Sequence, residues 1–153
     1  MDVDGVLTDG TVSISSDGSE AKAFSLHDGA GIVRLLEAGV AVAWISGRPS
    51  KVTTRRAAEL KVPHLIQGRA DKLEALQELA TRLGLAAEQC VYMGDDYFDA
   101  PAIAWAGIGA APSEATSTAR VAASYVARCP AGRGAVREVC DLILAAQARN
   151  VSA

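Results

Sequence analysis

Apolar positions along this chain change period repeatedly, from the unbroken runs of buried strands to the three-and-four spacing of helices. Val40-Ala41-Val42-Ala43-Trp44-Ile45 is a continuous apolar run of strand length, the pattern of a strand covered on both faces. Similar runs stand at His64-Leu65-Ile66 and Cys90-Val91-Tyr92-Met93, with further apolar segments at Trp105–Ala110 and Tyr125–Ala127. Helical spacing fills the gaps: Gly31–Leu36 ending near Gly39, then about 49–60, about 71–83 and Gly134 to Ala148. Residues 10–24 follow a period of two, Thr11-Val12-Ser13-Ile14-Ser15, then turn chemistry at Ser16-Asp17-Gly18-Ser19 and a return through Ala21–Phe24, which predicts a small inserted hairpin. Strands alternating with helices predict an α/β fold, a parallel sheet joined by right-handed crossovers with helices on both faces.

Ligands in open sheets of this kind bind beyond the carboxyl ends of the strands. Ser46 directly follows the strand ending at Ile45, and Asp95 follows the one ending at Met93. Asp2 should end a first strand in the same way, yet only Met1 precedes it. A parallel sheet without that strand would leave two rows of backbone groups unpaired, each costing about 1–3 kcal/mol. The expectation is therefore that the natural protein begins several residues upstream.

Composition narrows the class without choosing the activity. A chain of 153 residues, 50% hydrophobic and 22% charged, suits one compact domain. A net charge of −3 with no lysine or arginine stripe lacks the footprint of a nucleic-acid binder. No apolar stretch approaches the roughly 18–20 residues of a membrane span, and no secretory pattern opens the chain, so a cytoplasmic protein is expected. Cys90, Cys129 and Cys140 are odd in number and widely spaced, and His27 and His64 share no motif, so none of them predicts a zinc or redox centre.

Chemistry concentrates in four short segments: Asp2-Val3-Asp4-Gly5, Ser46-Gly47-Arg48, Asp71-Lys72 and Gly94-Asp95-Asp96-Tyr97-Phe98-Asp99. Each alone reads as a turn or a helix start; their order at strand ends points to one shared site. Carboxylates gathered about 4 Å apart repel by about 4 kcal/mol per pair at an effective dielectric near 20, so a cation is required. Oxygen-only ligands favour magnesium over zinc. Phosphoryl transfer then accounts for every part. Asp2 is the candidate nucleophile, Asp4 the acid and base, Ser46 and Lys72 the groups on phosphoryl oxygens, and Asp95 the metal ligand, with Asp96 and Asp99 in support.

These motifs in this order resemble the haloacid dehalogenase superfamily. Thr8-Asp9-Gly10, Glu20-x-Lys22-x-Phe24, Asp28-Gly29-x-Gly31-Ile32, Asp71-Lys72 and the stretch from Gly132 to Asp141 are more specifically similar to the 3-deoxy-D-manno-octulosonate 8-phosphate phosphatase family, over nearly the whole chain. The resemblance implies a three-layer, Rossmann-like sheet with no large cap domain, and the spacing agrees, since no lid fits between the hairpin and Ser46 or between Lys72 and Gly94. It implies a magnesium-dependent phosphatase working through an aspartyl-phosphate. The metal would be held by Asp2, Asp95 and the main-chain carbonyl of Asp4. Gly47, Arg48 and Arg56 would border the substrate, and Gly132, Arg133 and Gly134 would lie near a neighbour's site in a homotetramer assembled through the hairpins. The competing readings are solvated helix-face charges for Arg48 and Arg56 and a flexible linker for Gly132–Gly134. Ala131 stands where the family commonly has a glycine.

Substrates with the same chemistry compete: 2-keto-3-deoxynononate 9-phosphate, acylneuraminate 9-phosphate, or the role of a phosphatase-like domain attached to a cytidylyltransferase. Arg48 favours the eight-carbon acid. A catalytically silent assembly or regulatory domain is the reading from a different class, and the retention of Asp2, Asp4, Lys72 and Asp95 argues against it.

Overall fold

The computed structural model describes residues 1–151. In chain order it holds a hairpin of β1 (Ser13–Ile14) and β2 (Glu20–Ala21), then α1 (Leu26–Glu37), β3 (Ala43–Ser46), α2 (Lys51–Glu59), β4 (His64–Gln67) and α3 (Lys72–Leu83). These are followed by β5 (Val91–Met93), α4 (Ala100–Trp105), β6 (Ile108–Ala111), α5 (Ser117–Ala122), β7 (Tyr125–Val126) and α6 (Ala135–Val151). The hairpin is antiparallel and every other strand pair is parallel, in the orders β3-β4 and β5-β6-β7.

The two parallel groups are joined through Met1 and Asp2. The Met1 nitrogen donates to Ala43 O at 3.0 Å, Ile45 N donates to Met1 O at 2.9 Å, and Asp2 N donates to Met93 O at 2.9 Å. Met1 and Asp2 therefore occupy the place of a strand between β3 and β5, at the carboxyl end of both. Below them lies an apolar cavity of about 230 Å³ lined by residues including Met1, Val42, Ala43, Val91 and Met93.

Neighbouring strand residues face opposite cores, which is why the sequence shows runs rather than alternation. Trp44, Met93 and Ala110 join Val3, Val6, Ile32, Leu35 and Val136 beneath α1 and α6, whereas Ile45, Tyr92 and Ala111 join Ala75, Leu76, Ile103 and Ala119 beneath α3, α4 and α5. One buried carboxylate locks the first layer. Asp28, in the first turn of α1, accepts from Gly134 N at 3.2 Å and Arg137 N at 2.8 Å, placing its negative charge on the donor end of α6.

Several boundaries differ from the expected ones. Helix α1 starts at Leu26 because Ser25 caps it, its Oγ accepting from Asp28 N. The run expected as a strand from Val40 pairs only from Ala43, where β4 begins to face it. Trp105 closes α4 rather than opening a strand, and α4 and α5 have no counterpart among the predicted elements. Each is only six residues long, shorter than the window over which helical periodicity becomes readable.

Candidate active site

The backbone turns sharply as it leaves Met1 and Asp2. Val6 N, Leu7 N and Thr8 N all donate to Val3 O, at 3.3, 2.9 and 3.2 Å, and Val3, Val6 and Leu7 plug the turn into the core. Thr8 is fully buried and its Oγ1 accepts from Gly5 N at 3.4 Å and Gly10 N at 3.3 Å. This compact turn presents Asp2 and Asp4 to an open cleft of about 470 Å³, which Ser46, Gly47, Arg48, Lys72, Asp95, Asp96 and Asp99 also line.

Carboxylate oxygens of Asp2, Asp95 and Asp99 lie within 4.8 Å of one another. Burial, and next the charge of Asp99, push the Asp2 carboxyl up to about 6 against the opposing pull of Lys72. Burial, and next the charge of Asp2, push Asp95 up to about 7. Such crowding is unfavourable without a counter-charge, and the all-oxygen donor set fits a hard divalent cation. The approach of backbone to ligand is equally tight. Gly5 adopts φ of +90° and a side chain there would collide with the Asp95 carboxylate. Only glycine serves both needs.

Asp99 has a different task from Asp95. It is almost completely buried; its Oδ1 accepts from Tyr92 OH at 2.8 Å, and its Oδ2 accepts from Asp95 N at 3.2 Å and Asp96 N at 3.3 Å. It thereby shapes the turn that carries Asp95. Asp96 uses Oδ1 to accept from Tyr97 N at 2.7 Å and remains at the cleft wall.

Lys72 begins α3, just after the capping Asp71, whose Oδ1 accepts from Glu74 N at 2.9 Å. The buried ammonium forms an ion pair with Asp2, donates to Ile45 O at 2.8 Å and lies 3.7 Å from Asp99. Ser46 Oγ, at the end of β3, donates to Arg48 O at 3.0 Å and accepts from Arg48 N at 3.2 Å. The Arg48 guanidinium is paired with Glu20 on the hairpin at 2.8 Å.

The remaining candidates separate by position. Arg56 is turned away from the cleft: it donates to Ser25 O at 3.5 Å, pairs with Glu59 at 2.9 Å and lies over the Phe24 ring at 6.0 Å. Gly132, Arg133 and Gly134 pass behind the catalytic turn instead of lining the cleft. Gly132 N donates to Val6 O at 3.0 Å, and its φ of +64° sits where a side chain would come within 2.8 Å of the Asp9 nitrogen.

Lys22 and Glu20 stand in the sequence as parts of a motif with no role attached. Lys22 Nζ donates to both Asp4 oxygens, at 2.6 and 2.9 Å, and Glu20 accepts from Ser50 Oγ and Arg48. The signal was their separation by two along the returning arm of the hairpin, the spacing that in extended chain puts both on one face. Nothing in that spacing says the face points at a catalytic turn.

The haloacid dehalogenase-like hydrolase family profile matches residues 61–139. The 3-deoxy-D-manno-octulosonate 8-phosphate phosphatase of Yersinia pestis is 47% identical over 146 residues, covering 95% of this chain and 78% of that protein. The Escherichia coli K12 protein of the same name is 44% identical over 149 residues, 97% of this chain and 79% of its own length. Among solved structures, the Moraxella catarrhalis phosphatase in complex with magnesium ion, phosphate ion and a KDO molecule superposes with a TM-score of 0.94 at 44% identity, covering 95% of this chain and 84% of that one. The cobalt-bound Haemophilus influenzae enzyme gives 0.92 at 40% identity, covering 96% and 86%.

Proposed function

The chain belongs to the 3-deoxy-D-manno-octulosonate 8-phosphate phosphatase family of haloacid dehalogenase-like hydrolases, and from that premise we propose that it hydrolyses 3-deoxy-D-manno-octulosonate 8-phosphate with magnesium as cofactor, its whole length serving one catalytic domain. The observation that carries this reading is the convergence of Asp2, Asp95 and Asp99 within 4.8 Å of one another beside the buried Lys72 ammonium. Asp2 and Asp95, with the main-chain carbonyl of Asp4, would hold magnesium. Bound there, the ion neutralises the gathered carboxylates and polarises the phosphoryl oxygens.

Asp2 attacks phosphorus in line, forming an aspartyl-phosphate as the sugar P–O bond breaks and Asp4 gives the departing oxygen its proton. Asp4 then takes a proton from water, whose oxygen displaces Asp2 and releases phosphate. Lys72 moves its charge between Asp2 and the equatorial oxygens, and Ser46 Oγ donates to one of them. Arg48, at the rim and 44% exposed, faces the substrate's sugar-acid end. The Gly132–Gly134 turn braces the catalytic turn through Gly132 N and Val6 O, while Arg56 ties α2 to Ser25 and Phe24.

The test is phosphate release from a panel of phosphorylated eight- and nine-carbon keto-sugar acids, with magnesium and with chelator. The eight-carbon ester should give the highest kcat/KM. Activity that persists in chelator, or a preference for a nine-carbon ester, would overturn the corresponding part of the reading.

Magnesium should also stabilise the fold in a pH-dependent way. Asp2 and Asp95 titrate above the ordinary 3.8, so between about pH 4 and 7 the metal-free folded protein keeps protons that the unfolded chain has lost. Its stability from these groups is full below that window and declines as pH rises through it. Added magnesium should therefore raise Tm more at pH 8 than at pH 5.5, where protons compete for the same oxygens. Equal gains at both pH values would refute the assignment of these two ligands.

A homotetramer in the cytoplasm completes the proposal. Ile14 at the hairpin is 66% exposed and Phe98 at the cleft mouth 52%, apolar surface that association would cover. Cys90, Cys129 and Cys140 are free thiols, in keeping with a reducing compartment. Sedimentation equilibrium should return four subunits, and a fully active monomer would sink the assembly.

A further inference from the structure

We propose that Lys22 is a positioning residue for the reaction: from the hairpin it holds the Asp4 carboxyl group in the place needed for both proton transfers, an inference that rests on the phosphatase reading above. The Lys22 side chain is 0% exposed whereas Asp4 is 28% exposed. Asp4 lines the cleft and Lys22 does not. Seen from the substrate's side the lysine stands behind the acid, close enough to hold it and screened from touching the ester.

Its ammonium reaches both Asp4 oxygens and lies 3.4 Å from Thr53 Oγ1, a fully buried group on α2. Two bonds from one nitrogen fix the distance of both oxygens from the hairpin and so the position of the carboxyl group. Two residues earlier on the same hairpin face, Glu20 accepts from Ser50 Oγ at the start of α2 and from Arg48. The hairpin is thus gripped at two points. Glu20 anchors it to α2, and Lys22 transmits that anchorage to the catalytic turn.

A purely structural tether is a poor explanation for a buried ammonium, because desolvating the charge offsets much of what the ion pair returns. The pairing makes sense where the exact placement of one carboxyl group limits a rate. The chemistry balances with Lys22 as a spectator that keeps its three protons. In the first step the P–O bond to the alcohol breaks, its electron pair stays on the leaving oxygen, and Asp4 supplies that oxygen's proton. In the second, Asp4 recovers one proton from water as the water oxygen bonds to phosphorus and Asp2 departs.

The experiment compares wild type, Lys22→Met and Lys22→Arg on the sugar-acid phosphate and on p-nitrophenyl phosphate, whose phenolate leaves without needing a proton. Lys22→Met should lower kcat on the sugar ester by about 10²-fold, the lower end of what a positioned acid supplies, with KM changed by less than about two-fold. First-turnover release of nitrophenolate should fall by less than about five-fold, since that step bypasses the acid. Lys22→Arg should recover part of the loss. In an Asp4→Asn background, Lys22→Met should change kcat by less than about two-fold, because the two residues act as one unit.

Equal losses on both esters, losses that multiply in the double variant, or a rise in KM at constant kcat would overturn the proposal. Should Lys22→Met fail to fold, Lys22→Arg in the two backgrounds carries the same comparison. A wild-type enzyme inert towards the sugar ester would instead refute the phosphatase reading, while an active wild type matched by Lys22→Met would refute the role of Lys22 alone.

Discussion

Asp2→Asn should abolish turnover, lowering kcat by about 10⁴-fold or more, the scale seen when a covalent nucleophile is removed. The substitution keeps the shape of the side chain and the backbone bond from Asp2 N to Met93 O, so the seam of the sheet should survive. What disappears is the anionic oxygen that attacks phosphorus, together with the ion pair to Lys72. Losing the carboxylate also removes the largest like charge acting on Asp95, so the metal oxygens become less crowded while catalysis stops. The measurement is steady-state phosphate release alongside acid-quench trapping of labelled phosphoprotein. Turnover within about tenfold of wild type, a difference of only about 1.4 kcal/mol in barrier, would remove Asp2 from the role of nucleophile.

Gly5→Ala should come next in severity although glycine has no chemistry. A methyl group at φ of +90° carries the strain of a left-handed backbone, roughly 1–2 kcal/mol, and here it would also strike the Asp95 carboxylate. Asp95 cannot retreat freely. Its amide is held by Asp99 at 3.2 Å and its carbonyl accepts from Thr116 N at 2.8 Å, so the side chain must rotate away from Asp2. The expected result is a loss of about 10²–10³-fold in kcat, comparable to deleting one preorganised electrostatic group, together with weaker magnesium binding by calorimetry. A Gly5→Ala protein with wild-type magnesium affinity would show that the close contact has no bearing on the metal.

The main architecture was legible because its strands are buried on both faces and its helices are long enough to display a period. Ser46 and Asp95 were legible for a related reason: the end of a buried apolar run marks a strand's carboxyl edge, where sites form, whereas Lys72 was marked by opening a helical pattern after Asp71. Trp105 misled because an apolar residue ending a six-residue helix looks the same in sequence as one opening a strand. Arg56 misled because a guanidinium near a site is equally suited to a structural task, here covering Phe24 and tying α2 to Ser25. Asp28 was visible only as a motif; its partners Gly134 and Arg137 lie more than 100 positions away, beyond any local pattern. Lys22 stayed silent for the same reason, since its meaning depends on where the chain leaving β2 directs it, towards Asp4, 18 positions away.

Asp2 lies between two groups of parallel strands. Ser46 and Lys72 follow elements of the β3–β4 group, Asp95 follows the β5 group, and Asp2 belongs to the two-residue bridge between them. Any sliding of one group of strands against the other must misalign the attacking oxygen with both its cationic partner and its metal-binding neighbour.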